Sequence, residues 1–272
     1  LYNWRETVRP RVVGKYDEKG EWLLPAENEL TVGQIAHVIA ARINKLHTSE
    51  RIKERLYYFS ERAKRRDSYT PPILRKPYFC SGCPHNSSTK VPEGSKGLAG
   101  IGCHIMSMWM DRDTDVFTQM GGEGVTWVGE APFSKDEHVF VNLGDGTYFH
   151  SGLLAIRQSV AGNVNITYKI LYNDAVAMTG GQHVDGQLTV PQIAEQLLAE
   201  RVGKIVIVSD DIEKYKDPKA EKLPNGLDIY HRDELDKVQR DLREVKGVTA
   251  IIYDQTCAAE KRRRRKRGQF LS

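Results

Sequence analysis

The feature that most constrains the fold is a strand-helix-strand pattern in the middle of the chain. Two apolar, β-branched runs, HVFVNL at 138–143 and NITYKILY at 165–172, flank a helical pattern from about Ser151 to Val160. The first run is followed by Gly-Asp-Gly at 144–146, and the second by an asparagine at 173. Nearly continuous apolar runs are typical of strands buried on both faces, so this stretch predicts parallel strands covered by helices.

The same alternation continues toward the end of the chain. Apolar runs recur as KIVIVS at 204–209 and VTAIIYD at 248–254, with helical patterns after Pro191 and from about Arg232 to Val245. Strands and helices that alternate in this way build a sheet with helices on both faces. We therefore predict a doubly wound α/β fold with a mostly parallel sheet, in which ligands bind outside the carboxyl ends of the strands.

Composition divides the chain into three parts. With 272 residues and 40% hydrophobic content, it can bury one sizeable core. Apolar residues recur at helical spacing between 31 and 66, which predicts one or two helices, and Thr-Pro-Pro at 70–72 ends them. We expect 1–70 to be a connecting segment, 71–260 to be the main domain and 261–272 to be a basic tail or linker.

Membrane proteins and secreted proteins are disfavoured by simple features. No stretch approaches the roughly 18 apolar residues that a membrane helix needs. The N-terminal sequence LYNWRETVRP lacks an apolar signal region. We expect a cytoplasmic protein without membrane contact. The first residue, Leu1, is not methionine, so we also expect the chain to be a piece of a longer polypeptide.

Seven consecutive cations, KRRRRKR, occupy positions 261–267. Lys and Arg outnumber Asp and Glu by only 40 to 36, so the overall charge makes no case for nucleic acid. The run is typical of a solvated, flexible terminus. It also fits a localisation or nucleic-acid patch, or a docking surface for an acidic partner, and composition does not choose between these.

The Gly-Asp-Gly and the asparagine are expected to meet at one edge of the sheet. Parallel neighbouring strands end on the same side, which places Asp145 near Asn173. Gly144 and Gly146 would allow a tight turn and a close approach to a ligand, and the helix after Thr147 would direct free N–H groups at a phosphate. Carboxylate, amide and phosphate oxygens suit Mg²⁺, so the simplest ligand is a magnesium pyrophosphate. Alone, Gly-Asp-Gly also occurs in ordinary turns.

The cysteines point to a metal centre. They are Cys80, Cys83, Cys103 and Cys257. A cytosolic protein is not expected to pair them in disulfides, and Cys-x-x-Cys is a metal signal. Four thiolates suit a 4Fe-4S cluster or a structural zinc ion, and zinc could also take His85 or His104. Inert thiols remain a third interpretation.

The Asp145 to Asn173 spacing resembles the thiamine diphosphate motif, a GDG followed by asparagine. The resemblance implies that Asp145 and Asn173 bind Mg²⁺ through their side chains and Ala175 through its carbonyl. This chain has YND where many relatives have two asparagines, so the role of Asp174 is open. Further cofactor contacts are expected from Gly144, Gly146, Thr147, Thr179 and Gly180.

Five motifs in order resemble the thiamine-binding region of 2-oxoacid:ferredoxin oxidoreductases, with the closest likeness to the large fused bacterial indolepyruvate type. They are CSGCPHN, GIGCH, GDGTYFHSG, YNDAVAMTGGQ and YDQTCAAEKRRRRKRG. In that family a 4Fe-4S cluster near the thiamine is held by a CxxC pair, a third cysteine and a distant fourth. The resemblance assigns these positions to Cys80, Cys83, Cys103 and Cys257.

The resemblance also implies an activity and partners. The family reaction converts a 2-oxoacid and coenzyme A into an acyl-CoA and carbon dioxide, and passes electrons singly to ferredoxin. Indolepyruvate as substrate follows from likeness alone. Other domains or subunits of the same enzyme, and a homo-oligomer, are expected; nucleic acid is not.

Candidate acid-base residues are less well defined. Thiamine enzymes need a glutamate against the aminopyrimidine ring, and in this family it looks to come from another domain. Glu123 is the attractive local candidate, although it could simply begin a loop or helix. His150 and His183 flank the predicted site and could bind substrate or move protons, or be structural.

Two other functions remain open from the sequence. A cluster-free thiamine decarboxylase or carboligase would use the GDG motif but not four metal-grade thiols. A zinc-containing nucleic-acid-binding or interaction module would explain the cysteines and the basic run but not GDG and YND.

Overall fold

The structure is a computed structural model that describes residues 5, 7–8, 11–182, 184, 186 and 188–269. The chain forms two compact units, Leu1–Arg75 and Lys76–Ser272. Their division falls a few residues beyond the Thr-Pro-Pro that ends the helical segment. No helix in the described part is both long and apolar enough to cross a membrane.

The first unit contains two helices, α1 (Val32–Ile43) and α2 (Glu50–Ser68). Thr31 begins α1 with a capping box, because its side chain accepts the Gln34 N–H while the Gln34 side chain accepts the Thr31 N–H. The two helices contact each other through a 3.1 Å hydrogen bond between His37 and Ser60.

The second unit is built on a sheet that has seven strands in the described residues. Its spatial order is β2-β1-β3-β4-β7-β5-β6, and every pairing is parallel. The strands are β1 (Lys96–Ala99), β2 (Thr114–Phe117), β3 (Val139–Gly144), β4 (Ile166–Tyr172), β5 (Lys204–Ser209), β6 (Asp228–His231) and β7 (Val248–Asp254).

Helices cover both faces of this sheet. Those of the second unit are α3 (His85–Ser88), α4 (Val125–Glu130), α5 (Asp145–Thr147), α6 (Leu153–Ala161), α7 (Val190–Ala199), α8 (Leu235–Arg243) and α9 (Ala258–Lys266). One face packs against apolar residues of α6 and α7, and the other packs partly against α8. The predicted doubly wound α/β fold is confirmed, with a sheet that is parallel throughout.

Three short strands were not anticipated from the sequence. β1, β2 and β6 have four residues each, too few to show the continuous apolar pattern that marks the longer strands. They are recognisable only once they pair within the sheet, because pairing supplies the backbone hydrogen bonds that a short strand lacks on its own.

A buried lysine fastens the cysteine-bearing segment to the sheet. Lys169 on β4 is fully buried, and its Nζ donates to the carbonyls of Ser88 and Lys90 at 2.8 and 2.9 Å and to Gln239 at 3.1 Å. Burial lowers the pKa of Lys169 to about 7. These bonds hold α3, which follows the Cys-x-x-Cys, against the middle of the sheet.

Candidate functional site

Strand register brings the GDG and YND segments together. Gly144, the last residue of β3, is paired with Leu171 on β4, so both strands end at the same level. One carboxylate oxygen of Asp145 accepts the N–H groups of Asn173 and Asp174 at 2.9 and 3.0 Å, and the other accepts the N–H of Gly146 at 2.8 Å. Asp145 therefore bridges the ends of two neighbouring strands.

The electrostatic state of Asp145 reflects its burial. Its side chain is nearly inaccessible, and burial raises the pKa of the Asp145 carboxyl to about 6, partly opposed by the three N–H donors. The amide oxygen of Asn173, also buried, accepts the N–H of Ala175 at 3.3 Å. Buried oxygens of these types suit a hard cation, which would favour the charged form of Asp145.

The two glycines of GDG do not have the conformational role predicted for them. Gly144 has φ −72° and ψ 150°, ordinary extended backbone, and a Cβ there would lie 3.5 Å from the His104 ring, which is normal contact. Gly146 lies within α5, because the helix begins directly at Asp145. No tight turn is required here. The helical path continues through a π-helical turn, Tyr148–Gly152, into α6, and Thr147 is buried.

The loop after YND does need its glycines. Gly180 and Gly181 have φ values of +118° and +82°, which side chains rarely adopt. The Gly181 backbone also passes so close to Arg263 that a Cβ would collide with its guanidinium. Thr179 and Gly180 are exposed, and Thr179 donates to the side chain of Gln182 at 2.6 Å.

All four cysteines line one small cavity of about 50 Å³. The cavity is lined by Cys80, Cys83, Cys103 and Cys257 together with Pro84, His85, Met106, Asn173, Ala177, Ala258 and Ala259. Burial raises the pKa of the Cys83 and Cys103 thiols to about 11. A metal that binds there must therefore displace protons from buried thiols, as metal–thiolate formation generally does.

The lining of this cavity is not arranged around a single metal ion in the described residues. In the described part of the chain, no group of three or more His, Cys, Asp or Glu side chains is placed to hold one. A tetrahedral zinc with bonds of about 2.3 Å would need its thiolates within about 4 Å of one another. Of the two histidines that zinc could take, His85 lines the cavity and His104 does not. Burial lowers the pKa of His85 to about 4 and of His104 to about 3, so both rings are neutral, which is the form that binds metal.

The cysteine cavity and the Asp145 site are joined through the backbone. The N–H of Cys257 donates to the carbonyl of Asn173 at 3.0 Å, and the N–H of Gln255 donates to that of Tyr172 at 3.0 Å. Asn173 itself lines the cavity. The two sites are therefore direct neighbours at one edge of the sheet.

Of the three acid-base candidates, Glu123 and His150 take no part in these contacts, and His183 lies outside the described residues. Glu123 is fully buried, and its Oε2 accepts the N–H of Gly121 at 2.7 Å. Burial raises the pKa of the Glu123 carboxyl. Its Oε1 has no hydrogen-bond partner among the described residues. His150 is exposed and its Nδ1 lies 2.7 Å from Ser151 Oγ.

The basic run is a structured element. Most of it belongs to α9, which begins directly after Cys257. Arg264 pairs with the carboxylate of Asp174, donates to the Asp174 carbonyl at 3.2 Å, and reaches the buried Glu260 at 3.2 Å. Asp174 has φ +60°, so the arginine holds a residue in an uncommon conformation. Sequence analysis missed Arg264 and Glu260 because a run of cations gives no sign of which one turns inward.

Comparisons with known proteins agree with this geometry. Residues 100–216 match the family described as "Thiamine pyrophosphate enzyme, C-terminal TPP binding domain", and residues 1–67 match "Indolepyruvate ferredoxin oxidoreductase middle domain". The fold resembles that of a 2-oxoglutarate:ferredoxin oxidoreductase from Magnetococcus marinus, with TM-score 0.50 and 17% identity over 70% of this chain and 67% of that one.

Curated relatives extend the likeness over most of the chain. The indolepyruvate oxidoreductase subunits IorA of Thermococcus kodakarensis and Pyrococcus abyssi are each 25% identical to it, over 89% and 88% of the chain respectively. The chain spans 37% of the length of either relative. The second unit thus carries a thiamine diphosphate-binding domain of α/β type. The chain is thus similar, over most of its length, to 2-oxoacid:ferredoxin oxidoreductases, and in particular to indolepyruvate oxidoreductase subunits.

Replacing the inward arginine should loosen the loop after Asn173. Arg264→Met removes the charged partner of Asp174 and two of the contacts that hold α9. We expect the free energy of local opening of 174–182 to fall by about 1–3 kcal/mol, the range for hydrogen bonds to charged groups. Hydrogen exchange of peptides from this loop, measured in the full-length enzyme, checks it. Arg265→Met on the exposed side of α9 is the matched control, and equal protection in both variants would contradict the role of Arg264.

Proposed function

We propose that this chain is the thiamine diphosphate-binding and cluster-binding part of a larger enzyme. That enzyme oxidatively decarboxylates a 2-oxoacid of the indolepyruvate type to an acyl-CoA and passes electrons through a 4Fe-4S cluster to ferredoxin. The observation that carries the proposal is the shared position of Asn173, which lines the four-cysteine cavity and stands beside Asp145.

The residues at the strand ends fit a cofactor diphosphate held through Mg²⁺. Asp145, Asn173 and the Ala175 carbonyl are the proposed cation ligands, since buried oxygen atoms of these types are preferred by Mg²⁺. We keep Asp174 out of the ligand set because its carboxylate is engaged by Arg264. Gly144, Gly146, Thr147, Thr179 and Gly180 are the further proposed contacts.

The cysteine cavity fits a multi-atom cluster better than zinc. Four thiols converge on one space, yet no three cysteines in the described part are placed for a single ion. A 4Fe-4S cluster takes four cysteine thiolates, and low-potential clusters of this class accept single electrons. Cys80, Cys83, Cys103 and Cys257 are the proposed ligands.

The chemistry divides between the bound groups and the chain. When bound, thiamine diphosphate supplies the electron sink for loss of carbon dioxide, and the cluster supplies one-electron acceptance. The chain orients the diphosphate at the start of α5 and holds the cluster beside it through the Cys257 to Asn173 hydrogen bond. Adjacent positions shorten the electron path between the two groups.

The activating glutamate is proposed to come from another domain. Glu123 is turned into its own loop, where the Gly121 N–H binds one oxygen, and it is completely buried. To act on a bound cofactor, this carboxylate would have to leave the Gly121 N–H and become accessible. The remaining length of the enzyme, about two thirds by comparison with its relatives, can supply this group.

Assaying the full-length enzyme tests the function. Indolepyruvate, phenylpyruvate and pyruvate are offered under anaerobic conditions with coenzyme A and a viologen dye. We expect dye reduction that requires coenzyme A, formation of the acyl-CoA by mass spectrometry, and the highest kcat/KM for an aryl 2-oxoacid. Release of an aldehyde without dye reduction would instead identify a cluster-free decarboxylase. The 272-residue chain alone serves as control and should show no turnover.

Removing the Asp145 carboxylate should abolish binding of thiamine diphosphate and leave the cluster in place. Asp145→Ala is expected to abolish binding of thiamine diphosphate with Mg²⁺ while iron content stays at the wild-type level, because Asp145 is the only charged protein ligand proposed for the cation. Calorimetric titration and iron analysis measure both. Asp145→Asn keeps an acceptor for the backbone N–H groups and separates loss of charge from loss of loop structure. Unchanged affinity in both variants would refute the assignment.

Replacing Cys257 should have the opposite effect, with loss of the cluster and retention of thiamine diphosphate binding. Cys257→Ser is expected to bleach the absorbance near 400 nm and lower iron content, because it removes one of four thiolates. The hydrogen bond from Cys257 to Asn173 uses the backbone and survives, so thiamine diphosphate affinity should change by less than about threefold, or about 0.6 kcal/mol. Thr256→Ala is the neighbouring control. A wild-type spectrum in Cys257→Ser would show that the cluster has another fourth ligand.

A further inference from the structure

The cations of α9 divide between two faces of the helix. Lys261, Arg263 and Arg264 turn toward the domain, where they pair with Asp210, Glu260 and Asp174. Arg262, Arg265 and Lys266 are exposed, and their spacing of three and four residues puts them on one side, which we call the outward face. Of the six cations that lie in α9, three therefore pair within the domain and three are available to a partner, while Arg267 follows the helix.

The outward face is electrostatically unfavourable by itself. Among the described residues, none of its three cations makes an ion pair, while each inward cation does. Like charges three and four residues apart on a helix repel each other. The inward cations are paired within the domain, so the outward charges remain available to an acidic partner, which would relieve their mutual repulsion.

The position of the outward face links it to the cysteine cavity. α9 begins directly after Cys257, and its first two residues, Ala258 and Ala259, line the cavity. Arg262 donates to the carbonyl of Ser81 at 3.0 Å, inside the Cys-x-x-Cys loop, and the neighbouring Cys80 is exposed. A protein seated on this face would thus lie against the solvent-facing side of the cavity.

We propose that the outward face of α9 is the docking surface for an acidic electron-carrier protein. This deepens the proposed function and rests on it, because the partner is the one-electron acceptor of that reaction. Charge complementarity would speed the encounter between the two proteins. Because Arg262 contacts the Cys-x-x-Cys loop, a carrier bound to the outward face would lie close to the cysteine cavity. An acceptor that must bind, take one electron and leave is served by salt-sensitive charge contacts of this kind.

Charge reversal on the full-length enzyme tests the surface. Arg265→Glu with Lys266→Glu reverses two outward cations and leaves Arg262, Arg264 and the cysteines in place. Lys204→Glu with Lys246→Glu is the charge-matched control, since both lysines lie where strands begin, at the opposite edge of the sheet. The probe is an acidic bacterial-type ferredoxin, titrated at low and at high ionic strength. Reduction of the same ferredoxin and of a small viologen dye is measured in parallel.

The α9 variant should bind ferredoxin about tenfold or more weakly at low ionic strength, with a flatter salt dependence, and the control should match the wild type. Its reduction of the viologen dye should be unchanged, because the dye needs no docking surface. Equal losses in both variants, or wild-type ferredoxin affinity in the α9 variant, would overturn the proposal. So would preferential binding of duplex DNA over ferredoxin by the wild type, lost in the α9 variant.

Two measurements separate this inference from the function on which it rests. Iron content and dye reduction by the wild-type enzyme are determined first. If both are absent, the proposed function fails and the docking surface fails with it. If both are present and ferredoxin affinity is indifferent to charge reversal on α9, the function stands and only the docking surface is rejected.

Discussion

Three neighbouring parallel strands that end at the same edge determine the arrangement of both proposed sites. β3, β4 and β7 lie side by side, and Tyr172 is in register with Asp254. Asp145 and Asn173 follow β3 and β4 directly, and Cys257 lies three residues beyond the end of β7. The bond from the Asn173 N–H to Asp145 and the bond from the Cys257 N–H to the Asn173 carbonyl then join all three. Because these bonds use the N–H and the carbonyl of Asn173, this one residue positions the two sites side by side.

The two faces of the sheet serve different purposes. One face packs a continuous apolar core against α6 and α7. The face toward the cysteines has a smaller apolar cluster against α8 and also buries polar groups, among them Asn142 and Lys169, which are paired in register. Lys169 satisfies its three donors with protein acceptors, whereas the amide of Asn142 has no partner in the described part of the chain. A polar layer of this kind is costly to bury. It fits a face that positions the cysteine-bearing segment as well as stabilising the fold.

α9 connects the sites to each other and to the surface. Its inward cations hold Glu260 and the Asp174 loop, and its first residues line the cysteine cavity. The cations on the inward side of α9 pair with single acidic residues from different segments, so the helix forms without a matching acidic run in the sequence. In the loop beside this helix, Gly181 depends on glycine chiefly through its φ of +82°, and a Cβ there would also require the Arg263 guanidinium to shift.

The sequence by itself determined the parts of this protein that depend on long apolar runs and on the identity of chemical groups. Local sequence patterns were enough to predict the four longer strands, β3, β4, β5 and β7, and the proximity of Asp145 and Asn173. They also indicated one shared site for Cys80, Cys83, Cys103 and Cys257. The tertiary structure decided the rest. β1, β2 and β6 are too short to be recognised before they pair, and Gly144 turned out to have ordinary backbone geometry because α5 begins at Asp145. Which cation of the basic run turns toward Asp174 was also undetermined, since seven nearly identical side chains differ only in the helical face on which packing places them.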